Sequence, residues 1–328
     1  GKPLKILDTK ESWNWWADCW TKVYRSAGVT EEDVLFLAFS FGPFIGFWAA
    51  YEGAKKMGAL VIPGGGQTSE QRLKSILDNK VTVLLCTPSY ALHLAEVAKQ
   101  NGLDIKHSQV KTIICAGEPG ASIPSVRKQI EEAWGATLFD HVGMTEMGAY
   151  GFSCREQRGI HVNEEEFILE VVDPHTGLPV AEGERGELVL TNLGRWGYPL
   201  IRYRTGDMVI YSQEKCSCGN PLHLLPGGII GRADDMVVIR GVNIFPQSIE
   251  AIIRQFDNVE EFRIIYYTQN EMDQIKVQVE GEGVEVNLIE KALRERIGLR
   301  IEVEKVAPNS LPRFELKARR VLDQRAKR

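Results

Sequence analysis

Over its first 150 residues the chain keeps switching between two hydrophobic periods, and that alternation limits the folds open to it. "ESWNWWADCWTKVYRSAG" spaces its apolar residues as a helix does and stops at Gly28, whereas "DVLFLAFS" is a short, continuous apolar run suited to a buried strand. The switch then repeats: helix "GPFIGFWAAYEGAKKMG", strand "ALVIPGG", helix "TSEQRLKSILDNK" capped by Thr68 or Ser69, strand "VTVLLC", helix "ALHLAEVAKQNG", strand "VKTIIC", helix "SIPSVRKQIEEAWG" and strand "TLFD". Strands separated by single helices pair in parallel through right-handed crossovers. Ligands of such sheets gather beyond the C-terminal ends of the strands, where "TPSY", "AGEPGAS" and "HVGMTEMG" are expected as loops.

From about residue 165 the pattern becomes that of β-structure, with "FILEVVD", "GELVLTN" and "DMVIYSQ" separated by turn sequences. It changes again near Gly231, where strands and helices of a small α+β unit follow. The expected fold is α/β: a parallel-sheet large domain over 1–231, β-rich over about 152–231, and a small C-terminal α+β domain over 232–328 with its boundary near Arg232–Asp235. A chain of 328 residues suffices for two domains. A net charge of −5 offers no footprint for nucleic acid. The longest apolar runs are too short to span a bilayer, so no membrane partner is expected, and no leader is visible. The six cysteines suit a reducing compartment, by default the cytoplasm.

Several short strings carry chemistry. Thr145 and Glu146, adjacent in "DHVGMTEMG", offer a hydroxyl to a phosphate and a carboxylate to Mg²⁺. In "YRTGD", Asp207 follows a Thr-Gly turn and suits the two hydroxyls of a ribose. "GRADD" places Arg232 where the pattern changes, as at a hinge, and Lys317 in "LPRFELKARR" is a compact cation suited to charge on a transferring phosphoryl group. Singly, these strings also suit a helix cap, a turn, a charged linker and a solvated tail.

In order, "AGEPGAS", "GMTE", "GELVLTN", "YRTGD", "GRADD", "RGVNIFPQSIE" and "PRFELKARR" resemble the adenylate-forming superfamily of acyl-CoA synthetases, and most of all its phenylacetate-CoA ligase branch. The resemblance implies two steps: a carboxylic acid attacks the α-phosphorus of ATP and releases pyrophosphate, then coenzyme A takes the acyl group and AMP leaves. It implies that Thr145 holds the α-phosphate, Glu146 the Mg²⁺ and Asp207 the ribose. Gly117, Glu118 and Pro119 would flank the adenine, and Asp140, His141, Val142, Gly143 and Met144 would line the nucleotide. Arg232 would contact the nucleotide, Asp234 would be the pivot of a mobile C-terminal domain, and Lys317 would bridge carboxylate and phosphate. Two positions depart from the family pattern: Val142 stands where an adenine-stacking aromatic is usual, and Leu316 where glycine is frequent. Gly1-Lys2-Pro3 resembles the end of the family's phosphate loop, so the chain is expected to lack the N-terminal part of the enzyme.

Cys154, His161, Cys216 and Cys218 form two short clusters that suit a tetrahedral, structural Zn²⁺, as in some members of the branch. His223 is a rival ligand, and free thiols in a turn are the alternative. Phe41, Phe44 and Phe47, with the glycines of "AGEPG" and "GMTEMG", suit a flat slot for an aryl or arylacetic acid, although helix aromatics over a sheet also serve as core. Two other functions share these motifs. One is a synthetase with a non-CoA acceptor, resembling the coenzyme F390 synthetases; the other is an inactive fragment that needs a companion N-terminal chain or a homodimer.

Overall fold

The computed structural model describes residues 5–41, 45–118, 120–240, 242–269, 272–314 and 318–325. It forms two compact units, Gly1–Ile229 and Ile230–Arg328. In the first, α1 (Lys10–Ser26), β1 (Val34–Leu37), α2 (Ile45–Lys56), β2 (Leu60–Pro63), α3 (Ser69–Asp78), β3 (Val83–Cys86), α4 (Pro88–Gln100), β4 (Thr112–Cys115), α5 (Pro124–Trp134) and β5 (Thr137–Met144) follow the expected alternation. They lead into β6 (Gly148–Phe152), β7 (Gly159–Val162), β8 (Phe167–Val172), β9 (Arg185–Asn192), β10 (Tyr203–Ile210) and β11 (Leu224–Pro226).

The main sheet runs β11-β7-β6-β5-β4-β3-β1-β2. Strands β1 to β5 pair in parallel, and β6, β7 and β11 extend the sheet antiparallel. The unbroken apolar runs of the parallel strands follow from burial on both faces. Leu35 and Leu37 of β1 join Trp16, Trp20 and Tyr24 of α1 and Ala50 of α2 on one face. Phe36 joins Leu73 of α3, Leu94 of α4 and Trp134 of α5 on the other. Thr68, not Ser69, caps α3, in a reciprocal box with Gln71. Thr87 caps α4, whose Pro88 occupies the first turn, where its missing N–H costs nothing. Strands β8, β9 and β10 pair antiparallel in a second sheet.

The second unit comprises β12 (Gly231–Arg232), β13 (Val237–Ile239), β14 (Val242–Ile244), α6 (Pro246–Ile253), β15 (Glu261–Gln269), β16 (Met272–Glu280), α7 (Val286–Ile297), β17 (Glu302–Lys305) and β18 (Val321–Asp323). Its sheet is ordered β17-β16-β15-β18. The antiparallel β15–β16 pair directs Phe262, Ile264, Val277 and Val279 onto one core with Ile249 and Ile253 of α6 and Ile289 and Leu293 of α7.

One local expectation changes. His141–Met144 do not form a loop but continue β5, because β6 supplies an antiparallel partner with His141 opposite Phe152 and Val142 opposite Gly151. The loop expected over "HVGMTEMG" shrinks to a turn between Met144 and Gly148.

Candidate functional site

Residues 116–118 and 120–122 leave the C-terminal end of β4 outside any strand or helix, as the alternation requires. Gly117 has φ 94, in the left-handed region that glycine enters without strain. The Glu118 carboxylate accepts the backbone N–H of Ser89 at 2.7 Å and also the Ser89 hydroxyl, which binds the loop to the first turn of α4. That end of a helix presents unpaired N–H groups and favours a negative charge. Pro119 lies outside the described residues.

The next loop residue of consequence is Ser122, whose hydroxyl donates to the Asp140 carboxylate on β5. The Asp140 backbone N–H donates to the Ser153 hydroxyl at 2.8 Å. Dense surroundings push the Asp140 carboxyl up to about 7, against the opposing hydrogen bond from Ser122. Its neighbour His141 is buried with its ring 4.2 Å from that of Trp20, and burial pushes the imidazole down to about 4. Burial thus favours the uncharged form of both neighbours, the neutral imidazole at His141 and the protonated carboxyl at Asp140. Val142 and Met144 are half-buried beside the exposed Gly143.

Thr145 and Glu146 form the β5–β6 turn, Thr145 exposed and Glu146 half-buried. Their carbonyls accept hydrogen bonds from Arg195 Nη1 at 2.5 and 2.8 Å. Asp207 lies within β10, next to Gly206 at φ 75 and at a shift in pairing register. Its backbone N–H donates to the Thr205 hydroxyl at 3.0 Å, and its carboxylate accepts the Tyr150 hydroxyl of β6 at 3.1 Å. The Glu118 loop, the Thr145–Glu146 turn and Asp207 are thus each tied into the first unit by at least one side-chain contact.

In the second unit, the Arg232 guanidinium donates to both Asp234 oxygens, at 2.8 and 3.2 Å. The pair holds the Asp234 carboxyl below the usual carboxylate range. Lys317 and Leu316 lie outside the described residues, as do Gly1, Lys2, Pro3 and Phe44. Phe47 stacks on Phe39, and Phe41 meets Trp48 edge-on at 5.1 Å, both half-buried against the main core.

The Cys/His residues do come together. β11 pairs with β7 and sets Leu224 opposite His161. The ligand atoms of Cys154, His161, Cys216 and Cys218 lie within 4.8 Å of one another. The sulfurs of Cys154 and Cys216 are 3.7 Å apart, and Cys218 Sγ is 3.5 Å from His161 Nε2. A tetrahedral zinc with ordinary bond lengths would set these separations at about 3.8 Å for S···S and about 3.6 Å for S···N. His161 Nδ1 faces the Leu222 carbonyl at 3.1 Å, which suits the tautomer with Nε2 as the ligand. Burial pushes the Cys154 thiol up to about 12, so a thiolate there needs a cation beside it. His223 instead meets Glu164 through Nδ1 at 3.0 Å and is not among the four.

With this geometry in view, residues 12–194 match the AMP-binding enzyme family and residues 241–325 the AMP-binding enzyme C-terminal domain. The chain belongs to the AMP-binding enzyme family. Within that family it is 34% identical to a phenylacetate-coenzyme A ligase of Thermus thermophilus, over 99% of this chain and 79% of the relative. It is 33% identical to one from Escherichia coli, over 99% and 77%. Among solved structures, a 2-hydroxyisobutyryl-CoA ligase in the postadenylation state matches with TM-score 0.91 and 31% identity, over 98% of this chain and 73% of that one. The same enzyme in its thioesterification state, with CoA, matches at TM-score 0.70 and 33% identity, over 99% and 72%.

The motif positions were legible in the family pattern, but four residues that hold them were not. Ser122, Tyr150, Asp8 and Arg195 act on partners that are 18, 57, 187 and 50 positions away. The glycines flanking the Arg195–Trp196 pair were the one available signal, since they mark a loop held close to other backbone.

Proposed function

We propose that the chain carries the nucleotide- and acid-activating machinery of an ATP-dependent acid-CoA ligase acting on an aryl or arylacetic acid such as phenylacetate. Its family membership and its phenylacetate-coenzyme A ligase relatives support the activity and the substrate class. In the first step a substrate carboxylate oxygen bonds to the α-phosphorus of ATP and the bond to pyrophosphate breaks. In the second, the CoA sulfur bonds to the acyl carbon and AMP leaves with the electron pair of the C–O bond. Such chemistry depends on placing the reactants and neutralising charge more than on a protein nucleophile.

The roles are those that the family resemblance implies, and the geometry of the first unit is compatible with those of Thr145, Glu146 and Asp207. Thr145, exposed at the turn, holds the α-phosphate, and Asp207, fixed by Tyr150, takes the ribose hydroxyls. Gly117, Glu118 and Pro119 flank the adenine, with Asp140, His141, Val142, Gly143 and Met144 along the nucleotide. The Glu146 carboxylate is the protein ligand for Mg²⁺, which would supply charge neutralisation at the phosphates. The aliphatic Val142 gives adenine an apolar contact without a stacking ring. Arg232, near the hinge, contacts the nucleotide, Asp234 is the pivot, and Lys317 neutralises carboxylate and phosphate during adenylation only. The domains are taken as 1–231, β-rich over about 152–231, and 232–328, which moves between steps. That the relative 2-hydroxyisobutyryl-CoA ligase has distinct postadenylation and thioesterification states favours such a movement.

Zn²⁺ held by Cys154, His161, Cys216 and Cys218 is structural, since four protein ligands leave no open position. The need for ATP, CoA and reduced thiols suits the cytoplasm. Among the described residues no helix is long and apolar enough to cross a membrane.

The observation that carries the proposal is the joining of the Thr145–Glu146 turn and Asp207 to one strand, β6, at its first residue and through Tyr150. Acid-dependent ATP–pyrophosphate exchange and CoA thioester formation, screened over aryl, arylacetic and short aliphatic acids, test it. Aromatic acids should outcompete acetate, and Lys317→Ala should slow exchange by about 10² or more while sparing thioester formation from preformed adenylate. A preference for short aliphatic acids overturns the substrate class. Exchange without thioester formation redirects the acyl or AMP group to another acceptor.

A further inference from the structure

We infer that Arg195 is a positioning residue for adenylation, fixing the Thr145–Glu146 turn and tying it to the segment Asp8–Ser12; the inference rests on the ligase activity proposed above. The ladder between β5 and β6 ends at Met144 opposite Gly148, so the carbonyls of Thr145 and Glu146 lie beyond it. Arg195 Nη1 donates to both of them. The other edge of the guanidinium meets the Asp8 carboxylate, Nη2 to Oδ2 at 2.7 Å and Nε to Oδ2 at 3.2 Å. The arginine is 2% exposed and lies 4.5 Å over the Trp16 ring. A buried guanidinium with no counter-charge is costly. Here Asp8 balances the charge, and the remaining donor geometry goes to the turn.

The loop that presents Arg195 has little freedom of its own. A Cβ on Gly194 would lie 2.2 Å from the Trp15 ring, and one on Gly197 would lie 2.9 Å from Thr9 N. The Gly197 N–H donates to the Ser12 hydroxyl at 2.8 Å, and Trp15 itself is anchored through Nε1 to Glu166 at 2.5 Å. Three sequence-distant segments therefore meet at one side chain: the start of α1, the turn after β5 and the loop after β9. Rotation of either turn peptide would swing the Thr145 hydroxyl or the Glu146 carboxylate out of place, and Arg195 holds both peptides from behind. Its planar fork serves a carboxylate on one edge and two carbonyls on the other, whereas a lysine ammonium is a point charge that cannot match both.

Arg195→Lys in the full chain separates charge balance from positioning. The expected result is a fall of about 10- to 100-fold in kcat for acid-dependent pyrophosphate exchange, with KM for the acid within about 3-fold of the parent. The Mg²⁺ concentration for half-activation rises, thioester formation from preformed acyl-adenylate stays within about 3-fold per folded molecule, and the melting temperature falls by several degrees, because the charge stays paired with Asp8 while the fork is lost. Asp8→Asn leaves the buried guanidinium without its counter-charge, so it should lower the melting temperature more than Arg195→Lys does, with exchange per folded molecule reduced in the same direction. If Arg195→Lys exchanges at the parental rate, or loses both half-reactions together in proportion to lost fold, the positioning role is overturned while the ligase activity stands. If the parent protein shows no exchange with any acid, the ligase activity fails, and the positioning role fails with it.

Discussion

Two polar clusters of the first unit solve opposite problems. The Cys/His cluster brings four potential ligands together from two short stretches of sequence, and in the function proposed above it is completed by a Zn²⁺ from outside the chain. The Thr145–Glu146 turn is completed from inside, by one buried arginine whose charge Asp8 already balances. The first arrangement suits a staple, whose worth is the stability it adds; the second suits a reactive edge, whose polar atoms face outward because their backbone is held from behind. Perturbing the first should therefore move stability, and perturbing the second should move rate.

The sharpest test of that contrast is Cys154→Ser with Cys216→Ser. The parent should hold about one zinc per chain by elemental analysis. The double variant should lose it, together with more than about 4 kcal/mol of unfolding free energy in denaturant titrations. Adenylation per folded molecule should persist. A metal-free parent after gentle purification would remove the zinc from the proposal, and a variant that stays stable but inactive would invert the comparison.

Glu146→Gln is the counterpart on the turn. It should slow pyrophosphate exchange by about 10²-fold, roughly 2.7 kcal/mol in the barrier. Stability should change by less than about 0.5 kcal/mol, because Arg195 grips the Glu146 carbonyl and not its carboxylate. A large fall in melting temperature would show that the turn is structural after all.

The smallest effect concerns Asp140 and His141, which pull stability in opposite directions with pH. The Asp140 carboxyl is raised in the folded state, so its contribution is full below about pH 4 and is lost as pH rises toward about 7. The His141 imidazole is lowered, so its contribution is full above its unfolded value and is lost as pH falls from about 6.5 toward about 4. Asp140→Asn removes the first and leaves the second. Relative to the parent, the variant should gain in melting temperature between pH 5 and pH 8, measured in one buffer series at constant ionic strength. An unchanged difference across that range would place the Asp140 carboxyl in ordinary solvent.

The same contrast explains what the sequence made legible. Alternating helix and strand patterns revealed the parallel sheet because each element's period is local, and "GMTE", "YRTGD" and the four Cys/His positions stood out as short strings. Strand β6 did not, because "GAYGF" has the look of a loop. Its glycine content has a packing cause: a Cβ on Gly151 would come within 2.6 Å of both Val142 and Ile160, so the neighbours' side chains fill the space that its own would take. Missing β6 also hid the extension of β5 through Met144. Arg195 was hidden for a different reason, since its partners Asp8, Thr145 and Glu146 lie 187, 50 and 49 positions away. No periodicity encodes a contact of that span.

The crowding of α1 has an optical consequence. Trp13, Trp15, Trp16 and Trp20, four of the chain's seven tryptophans, lie on this one helix. Trp16 lies under the Arg195 guanidinium, Trp15 against Gly194, and Trp20 against His141. Indole emission responds to nearby charge and to ring contacts, so ultraviolet fluorescence of the unlabelled protein carries a built-in gauge of the Thr145–Glu146 turn, one that Trp16→Phe would dim selectively.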